Sequence, residues 1–264
     1  MNPDTDSFDA LAREYLFCMW PGWDLLPEDR AAELFSIFAN SDCAVVFLTG
    51  DSYKNWEIRA SPFHPALPYL SECHRSDYLR VYLMHHYGGG YTDVKFTYKS
   101  WRSAFEALKT SDAFALGYRP KKVGMSERYQ DPRILADLEA NYLPGAIGHV
   151  AFIFRRKTPL TTFLMNLTHA HLDRNFEALL ENPKKTQKDW KGKILPDGTE
   201  SKYPLYYTEL GPDLFHLSLY RFRDRIIHFD IEPVHVFHSP IAAPNFVLWK
   251  TEFTKQYIPQ WPFR

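Results

Sequence analysis

Two short runs near the start of the chain are apolar at nearly every position: YLFCMW (15–20), closed by Pro21-Gly22, and CAVVFLTG (43–50), ended by Gly50-Asp51. Continuous apolar runs of this length, bounded by turn residues, read as buried strands. Between them, LPEDRAAELFSIFAN places Pro27 and Glu28 in a first helical turn and sets Leu34, Phe35 and Phe38 on one apolar stripe. Strand, helix and strand in such close succession predict a βαβ unit and a parallel sheet.

The alternation continues. Residues 61–70 carry three prolines and read as loop, and a helix is predicted over Ser76–Tyr87. YTDVKFTY (91–98) has strand character, WRSAFEALK (101–109) is helical, and AFALGY (113–118) and HVAFIFRR (149–156) are strands. Residues 119–148 mix charges and glycines and read as loop. A long helix is predicted from Thr158-Pro159 to Leu180, followed by a polar insertion, ENPKKTQKDWKGKILPDGTESK (181–202), expected to be exposed. A helical segment begins within YYTELGPDLFHLSLYRF, and IIHF and VHVFH are late strands. With no internal repeat or low-complexity linker, the expectation is an α/β chain, one domain over 1–264, with one mostly parallel sheet flanked by helices.

Composition narrows the function classes. The 264 residues are 45% hydrophobic and 24% charged, which excludes a disordered chain. A formal net charge of −1 supplies no overall basic field to hold nucleic acid. Three cysteines (Cys18, Cys43, Cys73) are too few for a disulfide framework or a zinc cluster. The acidic start MNPDTDSFDA is unlike a signal peptide, and no run approaches the roughly 20 apolar residues of a membrane span. The expected location is cytoplasmic, with peripheral membrane contact left open. Aromatics reach 16%; in a core they pack, and on a surface they suit stacking on bases or sugar rings.

The chemistry concentrates in SDYLRVYLMHHYGGGYTDVKF (76–96). Helical geometry puts Asp77, Arg80, Val81 and Met84 on one side. Leu79, Tyr82, Leu83 and His86 occupy the other, so this helix is expected to be largely buried. Asp77 and Arg80 then form a local i,i+3 ion pair, or serve a ligand. Gly88 suits a left-handed helix terminator. Gly89 and Gly90 permit either tight helix–strand packing or close approach of a ligand to bare backbone. Asp93 follows near the carboxyl end of a short strand, where ligands gather in open parallel sheets. It can cap a turn, or hold a hard divalent cation against phosphates.

The order Ser-Asp-x-x-Arg, then Tyr-Gly-Gly-x-Tyr-x-Asp, resembles the sugar-binding-region glycosyltransferases that carry a DXD motif. These include yeast-type initiating mannosyltransferases and bacterial capsular polysaccharide synthesis proteins. Ser76, Asp77, Arg80, Tyr87, Gly88, Gly89, Tyr91 and Asp93 carry the match, and weaker similarity runs from about Tyr15 to Trp249. The resemblance implies a GT-A fold, a nucleotide-sugar donor with UDP favoured, a saccharide acceptor, and manganese or magnesium. It implies retention of the anomeric configuration. Asp77, Arg80, Gly89, Gly90 and Tyr91 would bind the donor, and Trp20 or Trp23 the base. Asp93 would ligate the metal, with late His238 completing the site. Arg80, Asp93 and Lys95 would serve catalysis.

One departure stands out: the motif's second acid is Lys95, so Asp-x-Asp has become Asp-Val-Lys. A protonated lysine cannot ligate a cation. Lys95 therefore also favours an alternative, a catalytically silent module that binds a glycan or nucleotide sugar.

The remaining constellations are weaker. His235 and His238 are three apart and would face opposite sides of a strand. His149 opens a strand and faces either the acceptor or the core. GPDLF, with Gly211 and Asp213, reads as a helix start that offers backbone N–H groups to an acceptor hydroxyl, or as ordinary punctuation. Asp131, Asp137 and Glu139 are candidates for a further carboxylate. The basic groups RRK (155–157), KK (184–185) and RFRDR (221–225) read as solvated faces.

Overall fold

The computed structural model describes residues 8–22, 26–120, 140 and 146–233. Among the described residues there are six strands: β1 (Tyr15–Trp20), β2 (Ala44–Thr49), β3 (Gly89–Thr92), β4 (Ala115–Gly117), β5 (Ala151–Phe154) and β6 (Ile226–His228). They form one sheet in the order β2-β1-β3-β5-β4-β6. β1 pairs parallel with β2 and β3, and β4 pairs parallel with β6. β5 opposes both of its neighbours, so the other five strands share a direction. This is the mostly parallel α/β arrangement that the resemblance implies.

Among the described residues five α-helices cover the sheet: α1 (Glu28–Asn40), α2 (Glu72–His86), α3 (Arg102–Lys109), α4 (Pro159–Glu181) and α5 (Leu214–Arg221). Alternate side chains of β1 point to opposite faces. Phe17 and Met19 join a core with Tyr78 and Tyr82 of α2, Leu164 of α4 and Phe215 of α5. Leu16 and Cys18 join a second core with Leu34 and Ile37 of α1 and Phe105 and Leu108 of α3. Covering on both faces is the reason β1 is apolar throughout rather than alternating. Thr158 caps α4 with its side chain on the Thr161 N–H (3.2 Å), and Pro159 takes the first turn, as the Thr-Pro pair predicts.

The structure revises four expectations. α2 begins at Glu72, four residues before the expected Ser76. β3 is built from the glycines and ends at Thr92, so Asp93 lies just past the strand rather than within a 91–98 strand. Segment 181–202 is not simply exposed: Asp189 is fully buried, accepting from Ser201 Oγ (2.6 Å) and the Lys185 N–H (2.7 Å). Its Gln187 carbonyl caps the first N–H of α2, at Glu72 (2.8 Å). Arg155, read as part of a solvated basic group, turns its guanidinium onto the Leu108, Lys109 and Ser111 carbonyls and closes the end of α3. The expected late strand VHVFH lies outside the described residues. Among the described residues no helix is long and apolar enough to cross a membrane.

Candidate active site

β1 connects through α1 to β2 on one side, whereas β3 lies on the other side of β1. The connections therefore diverge at the carboxyl ends of β1 and β3, the place where open α/β sheets bind ligands. A cavity of about 660 Å³ opens there. Trp20 at the end of β1, Asp93 and Lys95 just past β3, and Asp77 and Arg80 of α2 all line it, with Tyr91 and His149.

Helix α2 supplies one wall because its residues 72, 73, 76, 77 and 80 share a face. The rest of its circumference is core. Gly88 ends this helix with φ +68°, its N–H bonding the Leu83 carbonyl (3.2 Å). The chain then enters β3, and the Asp93 N–H extends the β3–β5 ladder by bonding the Val150 carbonyl (2.8 Å). Arg30 of α1, itself paired with buried Glu33, holds the Val94 carbonyl at 2.9 Å. That contact fixes the turn on which Asp93 and Lys95 sit.

At the centre, Arg80 joins two carboxylates. Its Nη2 lies 3.1 Å from Asp77 Oδ1 and 3.5 Å from Asp93 Oδ1, and its Nη1 donates to the His149 carbonyl (2.7 Å). The guanidinium also stacks over the Tyr91 ring, 4.5 Å from its centroid. The expected Asp77–Arg80 ion pair is thus present and extends to Asp93. Tyr91 donates its hydroxyl to Asp93 Oδ1 (2.9 Å), and Lys95 Nζ sits 3.5 Å from Asp93 Oδ2.

These contacts set the protonation states. Burial pushes the Asp77 carboxyl up to about 6, outweighing Arg80, and the nearby Asp93 and Asp213 push the same way. Burial also raises Asp93, but Arg80, Lys95, His149 and the Tyr91 hydroxyl together hold it below the usual carboxylate range. His149 is lowered to about 4, first by burial and then by Arg80, so its imidazole is neutral at pH 7.

Not every residue named from the sequence reaches the cavity. Gly89 and Gly90 are packing positions, not donor contacts. A Cβ on Gly89 (φ +85°) would stand 2.8 Å from the Tyr15 carbonyl oxygen, and one on Gly90 would meet Leu16 at 2.9 Å. Gly211 and Asp213, named for the acceptor, do not line the cavity either. A Cβ on Gly211 would stand 2.8 Å from both Asp77 oxygens, so its missing side chain makes room for that carboxylate. Asp213 is fully buried and accepts from the Thr208 hydroxyl (3.2 Å). Trp23, Asp131, Asp137, Glu139, His235 and His238 lie outside the described residues.

The site also contains groups that sequence reading passed over. Arg30, Glu72, Trp190 and Tyr207 line the cavity. Trp190 and Tyr207 meet edge to face, with ring centroids 5.0 Å apart, where the segment after α4 returns over the site. A tryptophan inside a lysine-rich polar run was the available signal, since such a ring seldom stands free in solvent.

A divalent cation fits the described residues poorly. Both Asp93 oxygens already face donors or cations, and among the described residues no group of three or more His, Cys, Asp or Glu side chains converges to hold a metal.

No family model matches the chain, and no curated protein does. A solved structure, the PaToxG glycosyltransferase, is similar with a TM-score of 0.43 at 12% identity, over 79% of this chain and 69% of that one. A likeness of that degree carries neither fold nor activity across.

Proposed function

We propose that the protein transfers a sugar from a nucleotide-sugar donor, UDP-linked by preference, to a saccharide hydroxyl on a GT-A-like fold. One observation carries this reading. Trp20, Asp77, Arg80, Asp93 and Lys95 are scattered over 76 positions of sequence, yet they line a single cavity at the switch point of the sheet. They are residues that the family resemblance assigns to the donor and to catalysis. The cavity volume, about 660 Å³, is in the range of small-molecule sites.

In this reading the base lies against Trp20, and the diphosphate and sugar extend along α2 towards Asp93. Asp77, ionised above about pH 6, accepts hydrogen bonds from sugar hydroxyls. Arg80 is a positioning residue, because its guanidinium holds Asp77, Asp93 and the His149 carbonyl, in the turn before β5 rather than in a strand, in register. During transfer the bond between the anomeric carbon and the diphosphate oxygen breaks, and its electron pair stays with the oxygen. The acceptor oxygen forms the new bond on the same face, and its proton passes to the departing phosphate. Neutral His149 can bond a hydroxyl but adds no charge. Trp190 and Tyr207 offer an apolar ring surface for the acceptor.

The test is release of nucleoside diphosphate from UDP-, GDP- and ADP-sugars, with and without saccharide acceptors. Release from at least one donor, accelerated by acceptor and reduced about a hundredfold or more in Asp77→Ala, supports transfer; a loss of that size is about 2.7 kcal/mol of transition-state binding. Binding without release instead supports the second reading, a catalytically silent nucleotide-sugar module. The Lys95–Asp93 pair is the observation that favours it.

A further inference from the structure

Resting on the glycosyl-transfer reading, a second conclusion concerns how the donor's diphosphate is neutralised. A divalent cation binds oxygen lone pairs at about 2.0–2.6 Å and needs several of them. A cation on Asp93 would meet two positive charges, since both carboxylate oxygens already face cationic side chains. Asp93 Oδ1 accepts the Tyr91 hydroxyl at 2.9 Å and faces Arg80 at 3.5 Å, while its Oδ2 faces Lys95 at 3.5 Å.

Lys95 is differently placed. Its side chain is only 15% exposed and lines the cavity, and among the described residues its ion-pair partner is Asp93. At 3.5 Å that contact is an ion pair without a hydrogen bond. An ammonium carries three N–H donors. Arg80 cannot take the same part, because Asp77, Ser76 and the His149 carbonyl occupy its guanidinium. The turn carrying Lys95 is itself fixed by Arg30 on the Val94 carbonyl (2.9 Å).

We infer that Lys95 stands in for the divalent cation: steadied by Asp93, its ammonium bonds the diphosphate of the donor directly, and the donor binds without metal. The four central charges, Asp77, Asp93, Arg80 and Lys95, sum to zero before the donor arrives. A ligand that brings negative charge is therefore met by Lys95 turning its donors from carboxylate to phosphate. As the sugar leaves, the same ammonium faces the growing charge on the departing oxygen.

Calorimetric titration of UDP, GDP and ADP into the full chain, in EDTA and in manganese chloride, tests this. The wild type is expected to bind at least one of the three in EDTA, with manganese changing its Kd by less than about threefold. Lys95→Met should weaken binding in EDTA roughly ten- to a hundredfold, the range of one charge-assisted hydrogen bond. Lys95→Arg should stay within about threefold of wild type, and Lys95→Asp should bind only with manganese. Wild-type binding that requires manganese, or a folded Lys95→Met variant with unchanged Kd, overturns the inference and leaves the glycosyl-transfer reading standing. Failure of all three nucleotides in both buffers removes that reading and this inference with it. Should Lys95→Met not fold, the wild-type and Lys95→Arg comparisons decide.

Discussion

Arg80 offers the sharpest test of how the site is held together. Replacing it by methionine keeps most of the stem's packing and deletes the charge. Asp77 and Asp93 then face each other with Arg80's two contacts, at 3.1 and 3.5 Å, gone. Breaking a buried pair in this way costs about 3–5 kcal/mol, because the partner charge is left uncompensated. Asp77 is buried and Asp93 is part-exposed, so the lower end of that range applies. The cost must depend on pH. Without Arg80 both carboxyls rise, and Asp77 starts from about 6. A folded-state carboxyl raised above its unfolded value of about 3.9 stabilises while protonated and loses that contribution as pH climbs through its folded value. Each further unit of rise adds about 1.4 kcal/mol of cost at high pH. Urea denaturation at pH 5 and pH 8 reads this directly. The expected difference between wild type and Arg80→Met is largest at pH 8 and shrinks by 1–3 kcal/mol, as an order of magnitude, at pH 5. A loss below about 1 kcal/mol, or one equal at both pH values, refutes the claim that Arg80 compensates buried Asp77 and part-exposed Asp93. Arg80→Lys should fall between, since a point charge cannot span both carboxylates and the His149 carbonyl.

Three further outcomes follow from particular contacts. Gly89→Ala is expected to lower stability by about 2–4 kcal/mol in a thermal melt, combining a left-handed backbone with a Cβ 2.8 Å from the Tyr15 carbonyl. Gly211→Ala is expected to lower stability by about 1–3 kcal/mol and, in the folded variant, to weaken nucleotide-sugar binding about tenfold, because the new methyl displaces the Asp77 carboxylate; unchanged affinity would remove Asp77 from the donor site. Asp77 itself, at about 6, makes stability fall as pH rises from 4 to 6, by about 3 kcal/mol at most, and Asp77→Asn should flatten that limb of the urea-stability profile.

Sequence pattern revealed some parts of this fold better than others, for physical reasons. β1 and α4 were readable almost to the residue: the first because burial on both faces forces a continuous apolar run, the second because Thr158-Pro159 caps and starts a helix. β3 was not, because Gly89 and Gly90 have no β propensity and stand in a strand only where neighbours press close on both sides. The strand was therefore expected two residues late, on the side chains that follow. The segment after α4 was misread because its composition is polar. Its order comes from Asp189 and Ser201 bonding inside it and from Tyr203 stacking on buried His74, at 5.4 Å between ring centroids. Such contacts leave no period in the sequence.

Helix α2 shows how a site can lie within a core element and stay hard to see. Eleven of its fifteen residues are buried. Apolar burial on most of its circumference removes the usual amphipathic signal. What remains is a polar stripe at helical spacing, Glu72, Ser76, Asp77 and Arg80, running over nine positions, or about 12 Å of helix axis. A span of that length suits an extended nucleoside diphosphate better than it suits one ion pair. At its start the stripe is anchored by Gln187 and Lys184, which bond the Glu72 N–H and carboxylate (2.8 and 2.5 Å). At its end it is anchored by Asp93, through Arg80. The returning segment and the turn after β3 therefore meet the same helix at opposite ends of the cavity. On the proposed reading a change in either contact would act on the donor through α2, and the Arg80 variants measure the stiffness of that link.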